Sequence, residues 1–150
     1  MKTYWKRKWI AALRSGKYKQ GKSFLKSRAK GGKVYSHCCL GVLCEVVREN
    51  SAKHAEAMPI TESLEDCFAT DTKRLVTKYS NNHNGEVLPK YVADLVGFTD
   101  TLGLYAHNPG VHLKNGGFAK LSSLNDGSRS AGRVSRSFQE IADIIEESGL

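Results

Sequence analysis

The chain has 150 residues, 40% of them hydrophobic and 25% charged, which suits one globular domain with its own core and excludes disorder throughout. Its formal net charge of +8 is unevenly spread: residues 1–44 hold twelve Lys/Arg and no acid, whereas the other 106 residues carry eleven basic and fifteen acidic ones. Such a basic segment points to an anionic partner, whether nucleic acid, a phosphorylated small molecule or an acidic surface, while the longest apolar run, residues 38–47, contains Glu45 and is too short to cross a bilayer.

In chain order, residues 3–15 read as a helix, with Trp5, Trp9, Ala12 and Leu13 on one stripe and Gly16 as its stop. The run Trp9–Leu13 is broken at once by Arg14, so it is not a secretory hydrophobic region. Residues 17–36 are punctuated by glycines; short extended pieces are expected around Phe24-Leu25 and Lys33–Tyr35, with Gly31-Gly32 as a turn. Residues 38–49 form a buried helix in which Gly41 and small thiols suit close approach of another element.

The pattern weakens between Asn50 and Ser63, where Pro59 is a break, and a helix is expected over 71–79. The cluster 80–85 is a turn. Pro89 suits the first position of a helix ending near Val96, with Gly97 as the stop. Residues 115–117 turn a small hairpin or precede a helix through Phe118, Leu121 and Leu124. The last helix is the clearest: Ser137 and Glu140 form a capping box, Phe138, Ile141, Ala142 and Ile145 line one face, and acids line the other. Together these elements predict a single small α+β domain over 1–150, mainly helical, with a short antiparallel sheet or hairpins. A basic N-terminal arm over 1–36 and a flexible Arg/Ser loop over 127–137 complete it.

Four cysteines, two adjacent, do not make a secreted disulfide framework and indicate a reducing, cytoplasmic setting. His37, Cys38, Cys39, Cys44 and Cys67 are soft ligands, but no C-x-x-C spacing is present, so packing is the better reading and no metal is assigned. His37 beside Cys38 also raises a nucleophilic thiol, yet sequence neighbours seldom face each other. The histidines at 37, 54, 83, 107 and 112 show no metallohydrolase or phosphoesterase spacing. No catalytic residue and no cofactor is assigned.

Four segments carry a resemblance: Trp9–Gln20, Cys38-Cys39-Leu40-Gly41-Val42-Leu43-Cys44-Glu45, Leu88–Val92, and Leu124-Asn125-Asp126 with Ser137–Glu146. In this order they resemble a family of small, mostly uncharacterised proteins encoded by tailed bacteriophages. This sequence departs from that pattern in the insertion Gly127–Arg136 and in Ser36-His37 before the cysteines. The resemblance implies a phage accessory protein acting in the cytoplasm of the infected bacterium, and it brings no catalytic residues with it.

Beside the resemblance, the residues favour anion binding. Basic groups are interleaved with aromatic rings, so phosphates are held while a base stacks. The candidate ligand-binding residues are Trp5, Arg14, Lys17, Tyr18, Lys19, Lys22, Tyr35, His37, Arg129, Arg133 and Arg136. The expected activity is sequestration of an anionic nucleotide-derived signal without cleavage, an anti-defence sponge. The alternatives are nucleic-acid binding and direct inhibition of a host protein. No membrane partner is expected. The acidic last helix suits docking on the basic segment, within one chain or between copies of a homo-oligomer.

Overall fold

A computed structural model describes residues 1–67, 72–80, 85–98, 108–127 and 134–150. Helix α1 (Thr3–Arg14) buries Trp5, Trp9, Ile10 and Leu13. Three short strands follow, β1 (Lys19–Gln20), β2 (Lys26–Ala29) and β3 (Ser36–His37). The turn after β2 is closed by the Gly32 amide donating to the Ala29 carbonyl at 2.9 Å, and Gly31 takes the left-handed conformation (φ +77°) that this turn needs at its third position. Thus the expected turn at Gly31-Gly32 is present, but its strands lie a few residues from the expected ones.

Helix α2 (Cys39–Asn50) is the centre of the molecule: eight of its twelve residues are buried, on more than one face. The Trp9 indole donates to the Cys39 carbonyl at 2.8 Å, which ties α1 to the start of α2. Gly41 lies under the chain at Leu25; a Cβ there would overlap the Leu25 carbonyl and come within 3.0 Å of its Cα. Small residues in this helix therefore let the 21–25 segment cross directly over it.

After a short helix α3 (Ala52–Ala57) come two eight-residue strands, β4 (Ile60–Cys67) and β5 (Thr72–Tyr79). They pair antiparallel over their full length, from Ile60 opposite Tyr79 to Cys67 opposite Thr72. The sheet order is β1-β3-β2-β5-β4, with β1 parallel to β3 and all other pairs antiparallel. Helix α4 (Lys90–Val96), the hairpin β6 (Gly110–His112) and β7 (Phe118–Lys120), helix α5 (Leu121–Asp126) and helix α6 (Phe138–Glu147) complete the described chain. Residues 115–117 thus turn a hairpin and a helix follows it.

Two expectations are overturned. The domain is not mainly helical: among the described residues six helices accompany a five-stranded mixed sheet and a small hairpin. The helix expected over 71–79 is strand β5. Leu75, Val76 and Tyr79 fit helical spacing, but the stretch is rich in Thr, Val and Tyr, and its backbone is paired on both sides, to β2 and to β4. Long-range pairing decides in favour of the strand.

The capping box at α6 is formed as expected: the Ser137 hydroxyl accepts from the Glu140 amide, and the Glu140 carboxylate accepts from the Ser137 amide at 2.8 Å. Ser137→Ala is expected to lower stability by about 1 kcal/mol. A urea titration checks this; an unchanged midpoint would show that the cap contributes nothing.

Candidate functional site

Folding pairs four of the twelve basic residues of 1–44 with carboxylates among the described residues. Helix α6 packs beside α1 with its apolar face buried, and at the exposed margin Arg14 pairs with Asp143 at 2.5 Å and Glu146 at 2.6 Å. These bonds raise the Arg14 pKa and hold both carboxylates below their ordinary range. Lys17 pairs with Glu49 at 2.6 Å, Lys26 with Glu45 at 3.3 Å, and Arg28 with Glu62 at 3.5 Å. Arg136 pairs with Glu140 at 2.9 Å. The Lys6 ammonium donates to the Ser148 carbonyl beyond the end of α6 at 2.7 Å. Apart from the largely buried Lys26–Glu45 pair, such partly exposed pairs each add about 0–1 kcal/mol, so their larger consequence is the loss of free positive charge.

The expected stacking surfaces are occupied as well. Trp5 is buried, edge-on to Tyr4 and His54. Tyr18 is half-buried, edge-on to His37 with ring centres 5.2 Å apart, and its hydroxyl donates to Glu49 at 3.3 Å. Tyr35 donates to Glu62 at 2.5 Å, and the Lys26 ammonium lies 4.7 Å from its ring centre. A groove of about 400 Å³ between α1 and α2 brings Lys17 and Tyr18 together with Lys8 and Glu49, but the Lys17–Glu49 pair crosses it. Of the other expected ligands, Arg129 and Arg133 lie outside the described residues, as do His83 and His107.

His37 is enclosed in β3, 6% exposed, and neither ring nitrogen has a hydrogen-bond partner. Burial pushes its pKa down to about 4, against the smaller opposing influence of Glu45, so the ring is neutral near pH 7. Close by, the Glu45 carboxylate accepts from Lys26 and from the Tyr79 hydroxyl at 2.5 Å. Burial raises the Tyr79 pKa.

The pair of buried Asn125 and half-buried Asp126 is a latch. The Asn125 side-chain oxygen accepts from the Cys39 amide at 3.1 Å and from Gln20 at 3.2 Å, and its nitrogen donates to the Gly21 carbonyl at 2.7 Å. Asp126 accepts from the Ser23 amide at 3.1 Å. One dipeptide thus ties the 20–23 segment to the first turn of α2. Its sequence signal is the Leu-Asn-Asp string, whose role is invisible without these partners.

The cysteines are core. Burial pushes the Cys38 thiol up to about 12 and raises those of Cys39 and Cys44 as well, so all three stay protonated and poorly nucleophilic. Cys67 packs apart from them, with Phe24 and Val76. Among the described residues no three His, Cys, Asp or Glu side chains gather as metal ligands, and no helix is long and apolar enough to cross a membrane.

Some of the cations without an ion pair among the described residues lie on or next to strands β1–β3, while others lie on α1 (Lys6, Arg7 and Lys8) and elsewhere. Lys19, Lys22, Lys30 and Lys33 are exposed, and none forms an ion pair among the described residues. The sequence reading missed Arg74 of β5. It is half-buried and donates to the Ser27 hydroxyl at 2.9 Å and the Ser36 hydroxyl at 3.1 Å. No carboxylate pairs with it among the described residues. Glu65, opposite it on β4, turns instead to Lys78 at 2.8 Å and Ser63 at 2.7 Å. Reading 71–79 as a helix removed the strand register that would have placed Arg74 beside two serines.

A family model described as a Domain of unknown function (DUF8296) matches residues 1–149. No curated protein and no solved structure matches the chain.

Proposed function

The chain belongs to that domain family of unknown function, and we propose that it binds an anionic, nucleotide-type molecule and sequesters it without cleavage, as a phage accessory protein in the cytoplasm of an infected bacterium. One observation carries the binding part of this reading: five cations without a carboxylate among the described residues, Lys19, Lys22, Lys30, Lys33 and Arg74, lie on or next to strands β1, β2, β3 and β5 of one sheet. An unneutralised cluster of this kind attracts phosphates. The sequestration part draws on the thiols being held protonated and on His37 being enclosed and neutral, which leaves neither group poised as nucleophile or base. The phage setting draws on the sequence resemblance.

The experiment is incubation with a panel of cyclic nucleotides and nucleotide-ribose derivatives, removal of unbound ligand, and heat denaturation. Intact ligand is expected in the supernatant. Native mass spectrometry of the loaded protein gives stoichiometry and shows whether two copies share one ligand. Failure to retain any member of the panel, or release of cleaved product, would reject the reading. DNA or RNA binding whose log affinity falls steeply with log salt would replace it with a nucleic-acid-binding one.

A further inference from the structure

The face of the sheet opposite α2 holds a specific arrangement within the cationic region. Lys19 is in register with Ser36, Ser36 with Ser27, and Ser27 with Val76. Arg74 lies two residues before Val76 on β5, and residues two apart along a strand share a face. Lys19, Ser36, Ser27 and Arg74 therefore project from the same side. Lys26 and Tyr79, which alternate with Ser27 and Val76 in this register, reach Glu45 of α2 on the other.

Arg74 has five N–H groups, and the two serine hydroxyls accept from two of them. The remaining three have no acceptor among the described residues. Ser27 is 2% exposed and Ser36 is 8% exposed, so both hydroxyls are held in place by their surroundings. The Gly21 backbone crosses so near that a Cβ there would stand 2.6 Å from the Ser36 oxygen. The guanidinium is thereby oriented through its Nε and Nη2 edge, while its remaining donors are available to an incoming acceptor. Lys19, exposed and without a carboxylate, stands beside Ser36 to supply a second charge.

We infer that Arg74, oriented by Ser27 and Ser36 and assisted by Lys19, is a seat for a tetrahedral oxyanion of the phosphomonoester class. An oriented planar fork with unfilled donors matches two oxygens of a phosphate, which a solvated lysine alone does not do. That the phosphate belongs to a nucleotide-type ligand rests on the function proposed above; the seat itself does not.

The test is calorimetric titration of the full chain with inorganic phosphate and, separately, with adenosine 5′-monophosphate, at constant ionic strength. Wild type, Arg74→Gln, Arg74→Lys and Lys19→Gln are compared. Arg74→Gln is expected to weaken phosphate binding by about tenfold or more, since a charge-assisted bidentate contact is lost. Arg74→Lys should recover only part of it, and Lys19→Gln should weaken it by a few-fold. If Arg74→Gln does not fold, the exposed Lys19→Gln and the conservative Arg74→Lys decide. No phosphate binding by wild type, or equal affinity in wild type and the folded variants, would overturn the seat. A nucleotide retained equally by wild type and the Arg74 variants would sink the seat and leave the proposed function standing. Phosphate held through Arg74 with no nucleotide retained would do the reverse.

Discussion

Gly41→Ala is expected to destabilise the fold by about 3 kcal/mol or more. The sign is decided by two opposing effects. In a helix interior, alanine is intrinsically better than glycine by about 1 kcal/mol. Here, however, the added methyl meets the Leu25 backbone, not a side chain that can turn aside. Relief requires moving the 21–25 segment, which is fastened by the Leu25 amide to Gly85 at 2.7 Å, by the Leu25 carbonyl to the Cys38 amide at 3.1 Å, and by Asn125 to Gly21. A total stability of about 5–15 kcal/mol leaves small tolerance for such a shift. The control is Gly149→Ala, where nothing lies within 4 Å of the new Cβ and little change is expected. Urea denaturation of both variants checks the pair. A Gly41→Ala protein as stable as wild type, or more stable, would mean that the close crossing does not exist in solution.

His37→Leu should remove an acid-sensitive part of the stability. The folded-state pKa of His37 is about 4, against an ordinary value of 6.5. Between these values the unfolded chain binds the proton and the folded chain does not. Stability is therefore undiminished by this group above pH 6.5 and falls as pH drops from 6.5 towards 4, by up to about 3 kcal/mol. The charged and titratable groups facing the ring are Glu45 and Glu49, which favour its protonation, and Lys17 and Lys26, which oppose it; the Tyr18 ring lies against it. Glu62 and Glu65, held below the ordinary carboxylate range by Tyr35 and Lys78 respectively, lose their contributions only below about pH 4.5. Asp126, raised by burial, changes in the opposite sense. The informative window is therefore pH 7 to 5. Wild type should lose stability across it, and His37→Leu should lose much less. Because neither imidazole nitrogen has a partner, the apolar replacement should cost little at pH 7. Parallel pH profiles for the two proteins would exclude His37 as the source.

The helices were legible because their signals are local. The apolar stripe of α1, the capping box of α6, Pro89 before α4 and Gly97 after it all act within a turn or two of chain. The run Cys38–Val47 was legible as a buried helix for the same reason, and its glycine as a place of close approach. Strand β5 was not legible, because Thr72–Tyr79 is compatible with two periodicities and is settled by partners on β2 and β4. Arg74 disappeared as a candidate with it.

The candidate site divides along the same line. Counting charges and placing them along the chain needs only the sequence, and it correctly locates a basic first third. Which of those charges stay free is decided by contacts the chain order does not contain. Arg14 meets Asp143 across 129 residues of chain, and Lys17 meets Glu49 across 32, so two of the cations expected to hold the ligand are ones that folding neutralises. Arg74, inconspicuous in sequence, keeps unfilled donors because the carboxylate opposite it on β4 turns to Lys78. By itself the sequence determined helix faces, helix ends and total charge, since these depend on residues one or two turns apart. The tertiary structure alone decided strand pairing and residual charge, since both depend on which distant groups come within a few ångströms.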